Sequence, residues 1–391
     1  MKNLYFLLIG LMCLLLVNCK NDKTTSANVP TLTPSVKPTS EGFYKHFKGT
    51  VDTFAVTMDL VQIKNQSTDF DLLSFRGHYY YDKYQEPIAI YGELDSMSNI
   101  VLHESNLQQK DIVFEGKLDA NGSFSGTWRD TSRKRTLPFA LKETYKDGAI
   151  SMDFNIFRDS LKLWKNSAKS PIAEFEMQCL MPSKSVETGM GAFLKDKIFI
   201  NIKGDTLEKS YANLSIENLR IASRDTFFAS YMDIMAQEKP DSTTEISSML
   251  NYAQQSTMSV IFNEKGLLSV GYGNYNYTGG AHGNHSTGLS TYDLAQKKVL
   301  TLNDIFLPKY EKTISKALAN AARRQFNMKP NEPLTNNLFD NVIEPTNNFC
   351  ITPKGIIFLY NPYEIAAYAY GEIELFIPFS EIKSVVNPKF L

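Results

Sequence analysis

Residues 277–285 read YTGGAHGNH and bring three glycines together with two of the chain's five histidines. An imidazole can ligate a metal, take a proton as a general base, or hydrogen-bond a loop into shape, so the spacing has to decide. His282 and His285 stand as H-x-x-H, which does not put both rings on one strand face and is poor on a helix, which the glycines argue against anyway. There is no H-E-x-x-H, and no third ligand can be named from the sequence, so neither a metal nor another cofactor is expected. A nucleophile is equally hard to find. No G-x-S-x-G is present, and Cys179 and Cys350 lie in apolar, strand-like stretches that raise a thiol's pKa. Carboxylates are too many for one acid–base pair to stand out. No catalytic residue is therefore assigned. The reading that has a mechanism is geometric: Gly279, Gly280 and Gly283 permit positive φ and close backbone approach, so the segment turns a hairpin, with His282 bonded to backbone in the loop.

The start of the chain carries different chemistry. A basic Met1-Lys2-Asn3 precedes an apolar run from Leu4 to Val17, too short to span a bilayer comfortably, as expected of a secretion signal. Leu16-Val17-Asn18-Cys19 resembles a bacterial lipobox, which makes Cys19 the expected lipidation site and its acyl chains, such as palmitate, the expected link to a membrane. Lys20-Asn21-Asp22-Lys23 resembles the charged signal that sends lipoproteins outward in Bacteroidetes-type bacteria. Residues 1–19 are thus read as a lipoprotein signal peptide. Residues 20–41, rich in Thr and Ser with Pro30, Pro34 and Pro38, are read as a disordered tether. Acid and base nearly cancel, at 42 Asp+Glu against 41 Lys+Arg, with no basic stripe, which speaks against nucleic acid. Two mature cysteines, Cys179 and Cys350, make no disulfide scaffold; one bridge or two buried thiols both remain open.

The elements that position these residues fall into two parts. Residues 42–166 read as an all-β antiparallel barrel or sandwich domain: Phe54, Val56, Met58 and Leu60 alternate with Ala55, Thr57 and Asp59, and turn signals recur at Asp95-Ser96, Asp119–Gly122 and Lys146–Gly148. Gly77–Tyr84, with its run of tyrosines, is expected to pack the core and shield its edge. From 167 to 391 the texture is α+β, an antiparallel sheet with segregated helices. Helices are expected near 190–198, with Met190, Phe193, Leu194 and Ile198, and over 215–237, with Leu219, Phe227, Tyr231 and Ile234 facing the core. Pro240–Thr244 should break the second helix. Strands are expected at Ser256–Phe262, Leu267–Tyr277 and Ser286–Leu294. A helix with Ile314, Ala317, Leu318 and Ala321 on its buried stripe follows, and short strands close the chain.

Two blocks of this second part match a family. The first holds Tyr277–Gly283, Tyr292-Asp293-Leu294 and Leu300–Phe306. The second holds Phe349–Ile356, Tyr360, Pro362–Ala366, Tyr370-Gly371 and Ile377-Pro378. Over roughly 170–385 the chain resembles the C-terminal domain of unknown function shared by RsiV-type lysozyme-sensing anti-sigma factors and PdaC-type peptidoglycan deacetylases. The resemblance implies an extracytoplasmic α+β module without the deacetylase's catalytic domain, whose H-x-x-x-H motif is missing here. Taken with the lipobox, the wealth of tyrosines and the missing catalytic constellation, it suggests a lipid-anchored, non-catalytic binding protein of the cell envelope, on the outer membrane or cell surface, whose partner is peptidoglycan or a protein such as lysozyme. The candidate contacts are Tyr277, Gly279, Gly280, His282, His285, Tyr363, Glu364 and Tyr370. The competing readings are an envelope hydrolase using His282 as general base, and a scaffolding lipoprotein.

Overall fold

The computed structural model describes residues 41–63, 74–105, 112–236 and 250–391. The lipobox, the tether up to residue 40 and the Pro240–Thr244 break lie outside these residues. Among the described residues no helix is long and apolar enough to cross a membrane.

Eight strands form a closed antiparallel barrel in simple up-and-down order: β1 (Gly42–Val51), β2 (Phe54–Ile63), β3 (Phe75–Tyr81), β4 (Ile88–Leu94), β5 (Ile100–Glu104), β6 (Ile112–Leu118), β7 (Ser123–Asp130) and β8 (Arg135–Glu143), with β8 returning to β1. An eight-stranded barrel has an interior just wide enough for side chains to fill. Phe47, Phe75, Tyr79, Phe114, Phe124 and Phe139 fill it, several meeting edge to face. The turns follow local chemistry. At the β6–β7 turn the Asp119 carboxylate accepts from the amides of Asn121 and Ser123, both 2.8 Å, while Gly122 takes φ 76°.

The next strand, β9 (Met152–Lys162), does not extend the barrel. It pairs along its whole length with β10 (Ile172–Pro182) in a second sheet, so the architecture changes between Glu143 and Met152, ahead of the break expected near 166. Period-two alternation marks a strand but says nothing of its partner. The six-stranded sheet has the order β14–β13–β12–β11–β10–β9, with β11 at Tyr252–Glu264, β12 at Leu267–Tyr277, β13 at Asn284–Asp293 and β14 at Lys298-Val299. β10 and β11 run parallel, so the sheet is mixed where an antiparallel one was expected. Parallel neighbours need a long crossover, and two helices supply it. The first, α1 (Thr188–Lys203), is capped by the Glu187 carboxylate and ends at Gly204 with φ 65°; the second, α2 (Ile216–Met235), starts on a Ser215 cap. Leu219, Phe227 and Tyr231 of α2 are buried as expected, but Ile234 faces solvent.

A one-turn helix α3 (Leu302–Ile305) and α4 (Glu311–Gln325) lead to a three-stranded sheet: β15 (Phe349–Thr352), β16 (Gly355–Tyr360) and β17 (Ile373–Pro378). Ile314, Ala317, Leu318 and Ala321 of α4 pack on its buried face. Cys179 and Cys350 are free, buried thiols in separate clusters. Burial pushes Cys179 up to about 12 and Cys350 well above the usual thiol value.

The barrel is joined to the second sheet by polar bonds as well as packing. Arg76 and His78 reach the carbonyls of Met258 and Val260 on β11, and Tyr80 stacks on Phe262 and donates to Glu264. Glu264 also pairs with Lys48 of β1. Beside them, Asp59 Oδ1 accepts from Tyr44 at 2.6 Å and lies 2.8 Å from His46 Nδ1, all three buried, and Asn263 of β11 donates to the Tyr44 hydroxyl. Burial alone would lower the His46 pKa, but the charge and hydrogen bond of Asp59 outweigh it and the value is raised.

Candidate functional site

The loop 278–283 joins β12 to β13 as a hairpin, with Tyr275 opposite His285 and Asn276 opposite Asn284. Gly279 and Gly280 adopt φ 86° and 96°, in the region that favours glycine. Gly283 serves differently: a Cβ there would run into the Tyr275 ring. The Tyr277 hydroxyl donates to the Gly280 carbonyl at 3.0 Å. His282 Nδ1 bonds to the Gly283 carbonyl at 3.0 Å, the backbone contact expected of it.

The same carbonyl accepts from Tyr368, whose hydroxyl is 2.7 Å away. Tyr368 is the hub. Its ring stacks on His282 at 4.3 Å and 25°, meets His285 edge-on at 5.5 Å, and lies 5.6 Å from Tyr363. The Tyr363–Tyr370 turn is held against the hairpin by an amide acting as a strand partner. Asn361 Oδ1 accepts from the Thr287 amide at 2.7 Å, and Asn348 does the same for Leu289 at 2.7 Å. The short β14 pairs only with Tyr292 and Asp293, so these side chains finish the open edge of β13. Tyr363 is held at φ 71° and is 60% exposed.

The structure thus brings Tyr277, Gly279, Gly280, His282, His285 and Tyr363 to one surface. Glu364 is adjacent, with its carboxylate accepting from the Asn361 amide. Tyr370 points elsewhere, donating to Asn337 at 3.1 Å and meeting Phe326 edge-on. Tyr368 was not among the expected contacts; it sits in the repeat Tyr368-Ala369-Tyr370, where spacing gives no reason to prefer one tyrosine to the other. Glu372 was missed too. It accepts from Thr287 Oγ1 at 2.9 Å, and burial raises its pKa against the opposing influence of Thr287 and His285. Among the described residues no group of three His, Cys, Asp or Glu side chains is placed to hold a metal ion. Chemically, the surface offers ring faces and two imidazoles.

Residues 303–380 match the family described as "Protein of unknown function (DUF3298)", and residues 197–285 match "Deacetylase PdaC". The C-terminal part resembles these two domains. The PdaC segment ends on His285 and the DUF3298 segment contains Tyr363 and Tyr368, so the aromatic surface is assembled from both. The barrel lies outside either match. The chain is 23% identical over 199 residues to the peptidoglycan-N-acetylmuramic acid deacetylase PdaC of Bacillus subtilis, covering 50% of this chain but only 38% of that protein. It is 26% identical over 180 residues to the immunogenic protein MPT64 of Mycobacterium tuberculosis, covering 44% of this chain and 72% of that one. A DUF3298 family member from Bacteroides fragilis has a similar fold, with a TM-score of 0.54 at 22% identity, over 62% of this chain and 97% of the other.

Proposed function

We propose that this is a lipid-anchored, extracytoplasmic binding protein of the cell envelope, displayed on the outer membrane or cell surface, whose hairpin surface takes an envelope glycan. The observation that carries the reading is the exposed Tyr363 ring beside the stacked Tyr368 and His282. Sugar rings present C–H faces to aromatic rings, and a preformed stack spends little conformational entropy on binding. His282 supports binding over turnover, because its Nδ1 is committed to a backbone carbonyl and its ring face to Tyr368. The likeness to a peptidoglycan-N-acetylmuramic acid deacetylase supports the envelope setting, and Leu16–Cys19 supports the anchor.

The test is co-sedimentation of the purified protein with insoluble peptidoglycan, alongside lysozyme titrated by calorimetry. Binding to peptidoglycan that is lost in Tyr363→Ala and Tyr368→Ala supports the glycan. Saturable binding of lysozyme alone replaces the glycan with a protein partner. Hydrolysis of a muropeptide panel that vanishes in a normally folded His282→Ala variant would overturn the binding reading in favour of a hydrolase.

A further inference from the structure

The barrel and the C-terminal part also face one another across a cavity of about 800 Å³, whose lining shares no residue with the bonded contacts of β1–β3 to β11. One wall is the start of β4 and the end of β5; the other is β16, β17 and α4. Four carboxylates line it, Glu86, Glu372, Glu374 and Glu381, against a single lining cation, Arg324, which sits 3.4 Å from Glu381. Four carboxyl groups against one guanidinium make the lining acidic.

The Glu374 carboxylate makes no hydrogen bond or ion pair with any described residue. The side chain is solvent-exposed on the cavity wall, while the protein around it limits hydration of the carboxyl. Burial, and then the charge of Glu372, push its carboxyl up to about 7. Burial likewise raises Glu86, with Arg324 opposing and Glu381 adding to the rise. The charge is therefore split between two walls, and both sides lack an adequate counter-charge. Between the carboxylates the surface is apolar, with Pro87 and Ile88 on one side and Ile357, Phe376 and Pro378 on the other.

We propose that this cavity binds a flexible alkyl ammonium bearing two or more amines, either a free polyamine or the lysine side chains of a peptide. Ammonium groups satisfy the carboxylates, and the methylene stem lies on the apolar wall. A single amine cannot offset charge on both walls. Glu372 also bonds Thr287 beside the hairpin, but none of the rings of the aromatic surface lines the cavity.

The experiment is calorimetric titration of the purified full-length protein with spermidine, a tri-lysine peptide, a monoamine of matched length and a neutral diol. Saturable binding of spermidine or of the peptide is expected, weaker for the monoamine and absent for the diol, and falling as NaCl rises from about 0.05 to 0.5 M. Whichever of the two binds more tightly identifies the source. Glu374→Gln on β17 and Glu86→Gln on the barrel should each weaken binding about tenfold or more, with Glu208→Gln on an exposed loop leaving it unchanged. The two variants lie on different elements, so a folding fault in one leaves the other informative. Tyr363→Ala should leave amine binding intact, which separates this site from the glycan surface. No saturable heat up to about 5 mM of spermidine and of tri-lysine, or equal weakening by Glu208→Gln, overturns the proposal.

Discussion

Tyr363 offers a test in which stability and binding move apart. A bulky side chain at φ 71° sits in the left-handed region, which costs about 1–2 kcal/mol relative to an ordinary conformation. Tyr363→Ala and Tyr363→Gly remove the same ring and the same contact with Tyr368. They differ in one atom, Cβ, which is what makes the conformation costly. In an ordinary helix or strand, alanine is the more stable of the two by about 0.5–1 kcal/mol. Here the order should invert, with the glycine variant more stable than the alanine variant by about 1 kcal/mol. Urea denaturation of both, followed by fluorescence, reads the difference as a shift in midpoint at constant slope. Peptidoglycan sedimentation should fall equally in both variants, because both lack the ring. An alanine variant as stable as the glycine variant would refute the strain argument. A glycine variant that binds like the parent would refute the role of the ring.

Three further outcomes follow. Asp59→Asn should destabilise the protein by about 3 kcal/mol near pH 6, because it removes the charge beside the buried His46. The His46 pKa is raised in the folded state, so the parent's share of this stability is full below the unfolded value near 6.5 and is lost as pH rises through the folded value; the variant should lack that slope in urea midpoints. Glu374→Gln should remove a loss of stability that the parent shows as pH rises from about 4.5 to about 7, since a raised carboxyl pKa means that the folded state holds its proton longer; melting curves across that range check it. Palmitate incorporation in cells should disappear in Cys19→Ala, and labelling that persists would exclude that residue as the anchor.

The barrel was legible because inward residues such as Val56, Met58 and Leu60 recur with period two and turns such as Asp119–Gly122 have their own chemistry; the burial of Thr57 and Asp59 between them, where β2 meets β11, and the exposure of Phe54 at its start were not. The hairpin at 277–285 was legible for the same reason, since glycine content announces positive φ. What stayed hidden depends on residues far apart in the chain. The parallel pairing of β10 with β11 and the transfer of β9 to the second sheet are choices of partner that alternation leaves open. Tyr368 gained its place through contact with His282, more than eighty residues earlier, and nothing local separates it from Tyr370. The acidic cavity draws on β4, α4 and β17 together, so its carboxylates read in sequence as ordinary surface charge. Ile234 looked apolar enough for the core, yet it falls on the solvent side of α2.

The bonds from Arg76, His78 and Tyr80 to β11 have a mechanical corollary. β1 is the first strand of the barrel and also supplies Lys48 to Glu264, while Glu41 just ahead of it pairs with Arg158 of β9. Traction on the chain before Gly42 is therefore delivered to both cores at once. Neither can be peeled away while the other stays intact, and under load the two parts should yield in one step, as a single cooperative body.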